Sequence, residues 1–215
     1  MSMTLSRARV VAITDRRLMV PAPLLARGDW PAIADAFGRA IATATAGCPR
    51  GSILIQVREK DLDGGPLLRL VRAAQPFAPT LVNDRLDVAL AAGADGVHLP
   101  ERGLPLATAR ALAPTLLIGV SRHAAPLDDT TPDLIHLGPI WPTPSKPTAT
   151  PLTEAALAAP HGRALLVAVG GIDSPERATA AAAAGADAVA VIRAAWAGGS
   201  LPSLVAAVDA GRARR

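Results

Sequence analysis

Short apolar runs rich in β-branched residues recur along the whole chain and alternate with segments of helical periodicity. The runs are RVVAI, SILIQV, APTLVN, DGVHL, TLLIGV, DLIHLG, ALLVAVGG and DAVAVI. Their unbroken apolar character is typical of parallel strands covered on both faces, because strands with one solvated face alternate apolar and polar residues. The segments between them include WPAIADAFGRAIATATA and SPERATAAAAAG. The pattern therefore predicts eight parallel strands with helices between them.

Eight strands alternating with helices over about 200 residues predict a (β/α)8 TIM barrel of the α/β class, with a doubly wound open sheet as the alternative. The barrel is favoured because no GxGxxG follows the first run and AAGADGVHL (91–99) resembles AAGADAVAV (183–191). Each copy has a glycine suited to end a helix and an aspartate before the strand. Ser174 is expected to cap a helix starting at Pro175. No linker divides the chain, so residues 1–215 are expected to form a single domain.

The composition and the chain start argue against a membrane-spanning, exported or disulfide-stabilised protein. Half of the residues are apolar and mean hydropathy is +0.31, but every long run is interrupted before the roughly 20 residues that span a membrane. The chain start lacks the apolar core and cleavage site of an export signal, so a cytoplasmic location is expected. Cys48 is the single cysteine, which predicts neither a disulfide nor a zinc site.

The net charge of +4 and the pI of about 10.5 raise the question of nucleic-acid binding. The arginines are scattered, however, and two Phe, three Trp and no Tyr leave few rings to stack on bases. We therefore expect no nucleic-acid partner. A basic protein favours anionic small molecules, and phosphates above all.

Charged residues follow the second apolar run directly. Gln56, Arg58 and Lys60 alternate there, so their side chains share one face of an extended chain. The active site of a barrel lies at the carboxyl ends of its strands, and this face is expected to open onto it. Arginine offers a planar fork and lysine a compact charge, so the pair predicts an anion site. The alternative is an ion pair between Arg58 and Glu59.

Three further strand ends carry polar residues. Asn83 and Asp84 follow the third run, and Asp84 is interpreted as a ligand of Mg²⁺ beside a phosphate, as a helix cap, or as both. Ser121 and His123 alternate at the fifth strand end and are spaced to hydrogen-bond one ligand. His98, inside the fourth run, is interpreted as a core histidine.

The last three strand ends predict anion binding. A proline-rich loop at 139–153 follows the sixth run and is a candidate lid. It carries Thr143, Ser145 and Lys146, whose two hydroxyls and ammonium group suit a diphosphate clamp. The alternative is that they are chance polar residues of a surface loop. Gly170 and Gly171 let backbone N–H groups approach an anion. Ile192 and Arg193 start a helix that suits a phosphate.

Seven motifs, in this order and over nearly the whole chain, resemble the thiamin phosphate synthase/TenI family of (β/α)8 barrels. They are AITDR, QVREK, VNDR, ADGVHL, GVSRH, GPIWPTPSK and VGGI. The resemblance implies an enzyme of thiamin biosynthesis with phosphorylated small-molecule substrates. In the synthase branch, a transferase joins hydroxymethylpyrimidine diphosphate to thiazole phosphate and releases pyrophosphate. In the TenI branch, a tautomerase, an isomerase, aromatises thiazole carboxylate phosphate.

The resemblance also implies roles for individual residues. Those expected to contact the pyrimidine diphosphate are Gln56, Arg58, Lys60, Asn83, Ser121, Thr143, Ser145 and Lys146. Gly171 and the N–H groups around Ile192 are expected to take the thiazole phosphate, and Asp84 to bind Mg²⁺. Arg58, Lys60 and Lys146 would then stabilise the departing pyrophosphate together with the metal, and the thiazole nitrogen would capture the pyrimidine cation.

The chain departs from the synthase pattern after ADGVHL. The synthase branch has an aspartate there as its second Mg²⁺ ligand, whereas this chain reads Pro100-Glu101-Arg102-Gly103, so Glu101 is the one replacement available. His123 resembles the acid/base histidine of the TenI branch. We predict the synthase, with the tautomerase and a catalytically silent thiazole or thiamin phosphate-binding homologue as alternatives. A homo-oligomer is left open.

Overall fold

The computed structural model describes residues 3–124, 132–145, 147–196, 198 and 200–215. Its strands form one closed barrel in which each strand pairs in parallel with the next and the last pairs with the first. The strands are β1 (Val10–Ile13), β2 (Ile53–Val57), β3 (Thr80–Asn83), β4 (Gly96–Leu99), β5 (Leu117–Arg122), β6 (Leu134–Leu137), β7 (Leu165–Val169) and β8 (Ala188–Val191). The predicted (β/α)8 barrel is confirmed, and each strand lies within its predicted run except β5, which continues two residues beyond Val120 to Arg122.

Most helices cover the outside of the barrel, whereas the first one packs Leu5 into the core within it. The helices are α1 (Met3–Ser6), α2 (Arg16–Met19), α3 (Ala22–Arg27), α4 (Trp30–Thr45), α5 (Gly64–Ala74), α6 (Leu86–Ala92), α7 (Leu106–Leu112), α8 (Pro175–Ala184), α9 (Arg193–Trp196) and α10 (Ser200–Arg212). A 3₁₀ turn, Glu154–Ala158, stands between β6 and β7, where a helical segment was expected. Ser174 caps α8 by accepting a hydrogen bond from the N–H of Arg177, as predicted. No helix in these ranges is long and apolar enough to cross a membrane.

Two apolar cores hold the fold together. The larger one lies between the strands and the helices and includes Phe37, Ile41 and Leu70. The smaller one fills the barrel and includes Leu54, Leu81, Leu134 and Leu165. Burial of these side chains stabilises the barrel by about 1.5–3 kcal/mol for each large residue. Because alternate residues of a strand point inward, the position two residues beyond each of these leucines is also directed into the barrel, toward its carboxyl end.

The amino-terminal end of the barrel is tied by aspartates that precede even-numbered strands. Asp95, before β4, donates its N–H to the carbonyl of Thr80 and accepts the N–H of Thr80 on its carboxylate at 2.7 Å. Asp133, before β6, makes the same double contact with Ile118, and Asp187, before β8, with Leu166. The repeated AAGAD segments are thus structural, as the sequence indicated. Their glycines, Gly93 and Gly185, end helices at positive φ values of 61° and 134°.

Candidate active site

A cavity of about 280 Å³ opens at the carboxyl ends of the strands. Every strand contributes to its wall. Thirteen of the predicted site residues line it: Gln56, Arg58, Lys60, Asn83, Glu101, Ser121, His123, Thr143, Ser145, Gly170, Gly171, Ile192 and Arg193. Asp84 is not among the lining residues, and Lys146 lies outside the described residues. The sequence-based site is therefore brought together in one place.

The β2 side of the cavity carries positive charge. Arg58 and Lys60 line the wall, and neither side chain forms a hydrogen bond or ion pair with the described part of the chain. Glu59, between them, turns the other way and binds Arg16 with an Nη1–Oε2 distance of 2.9 Å. The alternative interpretation of Arg58 and Glu59 as an ion pair is wrong for this structure. Two cations are therefore available to an anion in the cavity.

Polar side chains also form a layer deep in the barrel. Gln56 donates from Nε2 to Oδ1 of Asn83 at 3.1 Å. His98 contacts the hydroxyl of Ser121 at 2.9 Å through Nε2, and its ring lies 4.1 Å from that of His136. One polar atom on each of Gln56, His98 and His136 is enclosed without a partner in the described chain. Gln56, His98 and His136 stand on β2, β4 and β6, two residues beyond the inward Leu54, Gly96 and Leu134.

The two buried histidines are neutral. Burial lowers the pKa of His136 to about 3. Burial, followed by the nearby His136 and Arg58, lowers the pKa of His98 well below its usual value. The interpretation of His98 as a satisfied core histidine agrees with its burial, but Nδ1 has no partner in the described chain, and the residue also lines the cavity. His136 was not singled out from the sequence. The pattern that could have identified His136 is its place in DLIHLG, two residues after Leu134 and therefore on the same inward face of the strand.

A carboxylate and an imidazole meet at the β4–β5 side of the mouth. Nδ1 of His123 lies 2.5 Å from Oε2 of Glu101. The hydrogen bond from His123 lowers the pKa of Glu101, so the carboxylate is ionised and Nδ1–H donates to it. Both residues line the cavity, and the ring is oriented by the acid.

The part of the mouth that follows β6 and β7 combines the proline-rich loop with two glycines. The loop is joined to the end of β7 by the N–H of Ile140, which donates to the carbonyl of Val169 at 2.9 Å. Gly170 and Gly171 have φ values of 96° and 71°. A Cβ on Gly170 would lie 2.6 Å from Cβ of Pro139, so this turn requires glycine for close packing as well as for its backbone conformation.

An arginine outside the cavity fixes this glycine turn. Arg177 of α8 donates from Nη1 to the carbonyl of Gly171 at 2.6 Å, and its guanidinium stands 5.7 Å from the ring centre of Trp141 in the loop. Arg193 begins α9 and lines the cavity next to Ile192. The glycine turn and the start of this short helix thus face the same space, where backbone N–H groups and a cation suit a phosphate.

Asp84 stands at the rim beyond the polar layer. It is exposed and has a φ of 66°, and its N–H donates to the carbonyl of His98 at 2.8 Å. The helix that follows starts at Leu86 with Arg85 at its N-cap, so Asp84 does not cap it. A Cβ on Gly103 would lie 3.0 Å from Oδ1 of Asp84. The described residues contain no group of three or more His, Cys, Asp or Glu that could hold a metal.

A family model described as thiamine monophosphate synthase matches residues 32–195. This range contains nearly all of the cavity wall. The chain belongs to the thiamine monophosphate synthase family.

Other members of the thiamine monophosphate synthase family share substantial identity with this chain. A putative thiamine-phosphate synthase of Geobacter sulfurreducens is 47% identical over 52% of this chain and 57% of its own length. A thiamine-phosphate synthase of Gloeobacter violaceus is 39% identical over 75% of this chain and 48% of its own length. One of Anaeromyxobacter dehalogenans is 40% identical over 81% of this chain and 86% of its own length. The chain thus spans about half the length of the first two relatives.

A solved structure shares the family fold. The thiamine phosphate pyrophosphorylase from Pyrococcus furiosus superposes with a TM-score of 0.66 at 26% identity, and the match covers 99% of this chain and 97% of that one. The fold of this chain therefore matches that of a whole chain of known structure.

Proposed function

We propose that this protein is a transferase of thiamin biosynthesis that joins hydroxymethylpyrimidine diphosphate to thiazole phosphate and releases pyrophosphate. The observation that carries the proposal is that two sets of anion-binding groups line one cavity. Arg58 and Lys60 form one set, without partners of their own in the described chain. Gly171 and the start of α9 at Arg193 form the other. The names of the relatives and of the solved structure support the same reaction.

The side chains present suit a dissociative substitution. Arg58 and Lys60, with Ser121 and the loop residues Thr143 and Ser145, hold the diphosphate and stabilise the charge that develops on it as the bond to the pyrimidine methylene breaks. Gln56 and Asn83 lie deeper and position the pyrimidine. The thiazole phosphate, held near Gly171, presents its ring nitrogen to the methylene carbon. Positioning and charge stabilisation supply the rate, and no strong base is required.

Lys146 retains its predicted role as the third cation on the diphosphate. It follows Ser145 in the loop that lines the cavity. Its side chain lies outside the described residues, and the assignment rests on the TPSK motif.

We propose that Mg²⁺ binds at the rim of the site through one carboxylate. Mg²⁺ commonly binds one or two carboxylates together with substrate phosphates and water. Asp84 is exposed at the rim beside Gly103, where a side chain would approach its carboxylate closely, and it is the first candidate ligand. Glu101 is the second candidate, although His123 holds its carboxylate in this structure. Bound Mg²⁺ would supply additional positive charge to the diphosphate.

The direct test is pyrophosphate release from the purified protein given hydroxymethylpyrimidine diphosphate, thiazole phosphate and Mg²⁺, with and without EDTA. We expect release that depends on both substrates and that EDTA abolishes. Asp84→Asn should raise the Mg²⁺ concentration needed for half-maximal release, and Asp87→Asn, an exposed carboxylate on α6, serves as the control. No release from intact substrates would contradict the proposed reaction.

The contact between His123 and Glu101 favours one second candidate, the thiazole tautomerase. An oriented imidazole at the cavity wall suits proton transfer on a thiazole ring. The two reactions separate by substitution, because Lys146→Ala should impair the synthase reaction alone and His123→Ala mainly the tautomerase reaction. Tautomerase activity that survives His123→Ala would refute this assignment.

A single domain over residues 1–215, a cytoplasmic location and a homo-oligomeric assembly remain predictions from the sequence. Each is open to a separate measurement, such as limited proteolysis, cell fractionation or light scattering.

A further inference from the structure

The charged residues that follow β2 are sorted by sign onto two sides of the chain. Arg58 and Lys60 line the cavity. Glu59 and Asp61, which alternate with them, do not belong to the cavity wall and both bind Arg16, which follows β1. Two cations and two carboxylates thus stand next to each other in sequence without pairing. Contacts with residues that follow β1 keep these carboxylates apart from the two cations.

Glu59 is held by three donors. The hydroxyl of Thr14 donates to Oε1 at 2.7 Å, the N–H of Arg16 donates to Oε1 at 3.0 Å, and Nη1 of Arg16 donates to Oε2 at 2.9 Å. The hydroxyl of Thr14 in turn accepts the N–H of Arg58 at 3.0 Å. The Glu59 side chain is only 2% exposed, so these contacts determine where its carboxylate lies. They place it on the side of the chain away from the anion site.

Asp61 is held by the same guanidinium. Nη1 and Nη2 of Arg16 donate to its two carboxylate oxygens, each at 2.7 Å, in a bidentate contact. Arg17 adds a third bond at 2.7 Å from a side chain that is 64% exposed. The hydrogen bond from Arg16 is the main cause that lowers the pKa of Asp61 to about 2. Arg16 is itself only 12% exposed and bridges both acids.

We propose that Arg16 is a positioning residue of the diphosphate site, which keeps the carboxylates of Glu59 and Asp61 from pairing with Arg58 and Lys60. The proposal rests on the proposed function, because it takes the anion at Arg58 and Lys60 to be a diphosphate. Arg16 does not line the cavity, and its effect on the ligand passes through these two carboxylates.

The physical argument is a competition for two cations. Opposite charges attract strongly where solvent is partly excluded. Without the guanidinium of Arg16, Glu59 keeps only the hydroxyl of Thr14 and the backbone N–H of residue 16, and Asp61 keeps only Arg17. Both carboxylates are then freer to compete for Arg58 and Lys60, and an incoming diphosphate has to displace them. Arg16 removal therefore weakens anion binding although it leaves every cavity group in place.

The experiment measures the dissociation constant of inorganic pyrophosphate with Mg²⁺ by titration calorimetry, on the full chain, at about pH 8 so that the freed carboxylates are ionised. Arg16→Ala should weaken binding about five- to tenfold, the range of one partly screened ion pair. Arg17→Ala is the matched control, since it removes an exposed partner of Asp61 alone, and should change binding by less than about twofold.

A triple variant distinguishes the proposed role of Arg16, holding two carboxylates away from the cations, from a merely structural role. Arg16→Ala combined with Glu59→Gln and Asp61→Asn removes the competing carboxylates, and binding should return to within about twofold of the original chain. If Arg16 only supported the fold, the triple variant would bind as weakly as Arg16→Ala or more weakly. That result, or unchanged binding by a folded Arg16→Ala, would overturn the inference.

Thermal unfolding of each variant shows whether it is folded. If Arg16→Ala does not fold, Arg16→Lys keeps a cation but not the fork that binds both acids, and a dissociation constant equal to that of the original chain would overturn the inference. An original chain that does not bind pyrophosphate would instead contradict the proposed function, so the two failures are distinguishable.

Discussion

The two ends of the barrel use their charges in opposite ways. At the amino-terminal end, the carboxylates of Asp95, Asp133 and Asp187 accept hydrogen bonds from the backbone of the preceding strand, and the charge is satisfied inside the protein. At the carboxyl end, Arg58 and Lys60 have no partner in the described chain. A charge with its own partner stabilises the fold, whereas a charge held without one is available to a ligand. The first end therefore serves stability and the second binding.

The largest effect is expected when a cation is removed from the carboxyl end of the barrel. Arg58→Ala should lower kcat/KM for pyrophosphate release by about 100- to 1000-fold, because a group that stabilises developing charge is lost. The melting temperature should hardly change, since the guanidinium has no partner in the described chain. Steady-state kinetics and thermal unfolding measure the two quantities. Arg69→Ala, on the exposed face of α5, is the control, and a comparable loss of activity there would count against a specific role for Arg58.

A substitution at the amino-terminal end of the barrel should lower stability and leave activity unchanged. Asp133 accepts from Arg110 at 2.6 Å and from the N–H of Ile118 at 2.8 Å. Asp133→Ala leaves both donors without their acceptor and should lower the free energy of unfolding by about 1–3 kcal/mol. Urea titration gives this value, while kcat/KM of the folded protein should stay unchanged. A loss of activity without a loss of stability would reverse the roles assigned to the two ends.

The buried histidines between the two ends give an effect on stability that depends on pH. His136 has a folded pKa of about 3, below its unfolded value of roughly 6.5, so only the unfolded chain binds a proton between these values. Stability is therefore full above about pH 6.5 and falls as the pH is lowered toward 3, by at most about 1.4 kcal/mol per unit for this residue.

His136→Leu should make the pH dependence shallower. Urea unfolding at several values between about pH 6.5 and pH 4.5 measures the slope for both proteins. The lowered pKa of His98 acts in the same direction, so part of the slope should persist in the variant. Equal slopes in the two proteins would show that His136 does not contribute.

The sequence predicted the barrel because its signal is local and repeated. Each apolar run carries its own strand, and the alternation of Gln56, Arg58 and Lys60 determines which face they share. The partner of Glu59 was not predictable in this way, because Arg16 lies 43 residues away and the two meet only when β1 and β2 pair. For the same reason Arg58 was given Glu59 as an alternative partner, since sequence neighbours are the pairs that a linear pattern reveals.

Two further residues show the same limit. His136 resembles any polar residue in an apolar run until the register of β6 directs it into the barrel beside His98. Gly170 was expected to admit an anion, and the structure adds that Pro139 packs against it too closely for any side chain. Both facts depend on contacts between strands, which a single sequence does not encode locally.

The aspartate contacts at the amino-terminal end also join the strands of the barrel in pairs. They join β3 to β4, β5 to β6 and β7 to β8, each through a backbone donor and a carboxylate acceptor on one residue. The matching segments 91–99 and 183–191 stand at the same place in the first and the last of these pairs. Three of the four successive strand pairs thus share one contact, and the pair of β1 and β2, where Ser52 stands before β2, lacks it in the described chain.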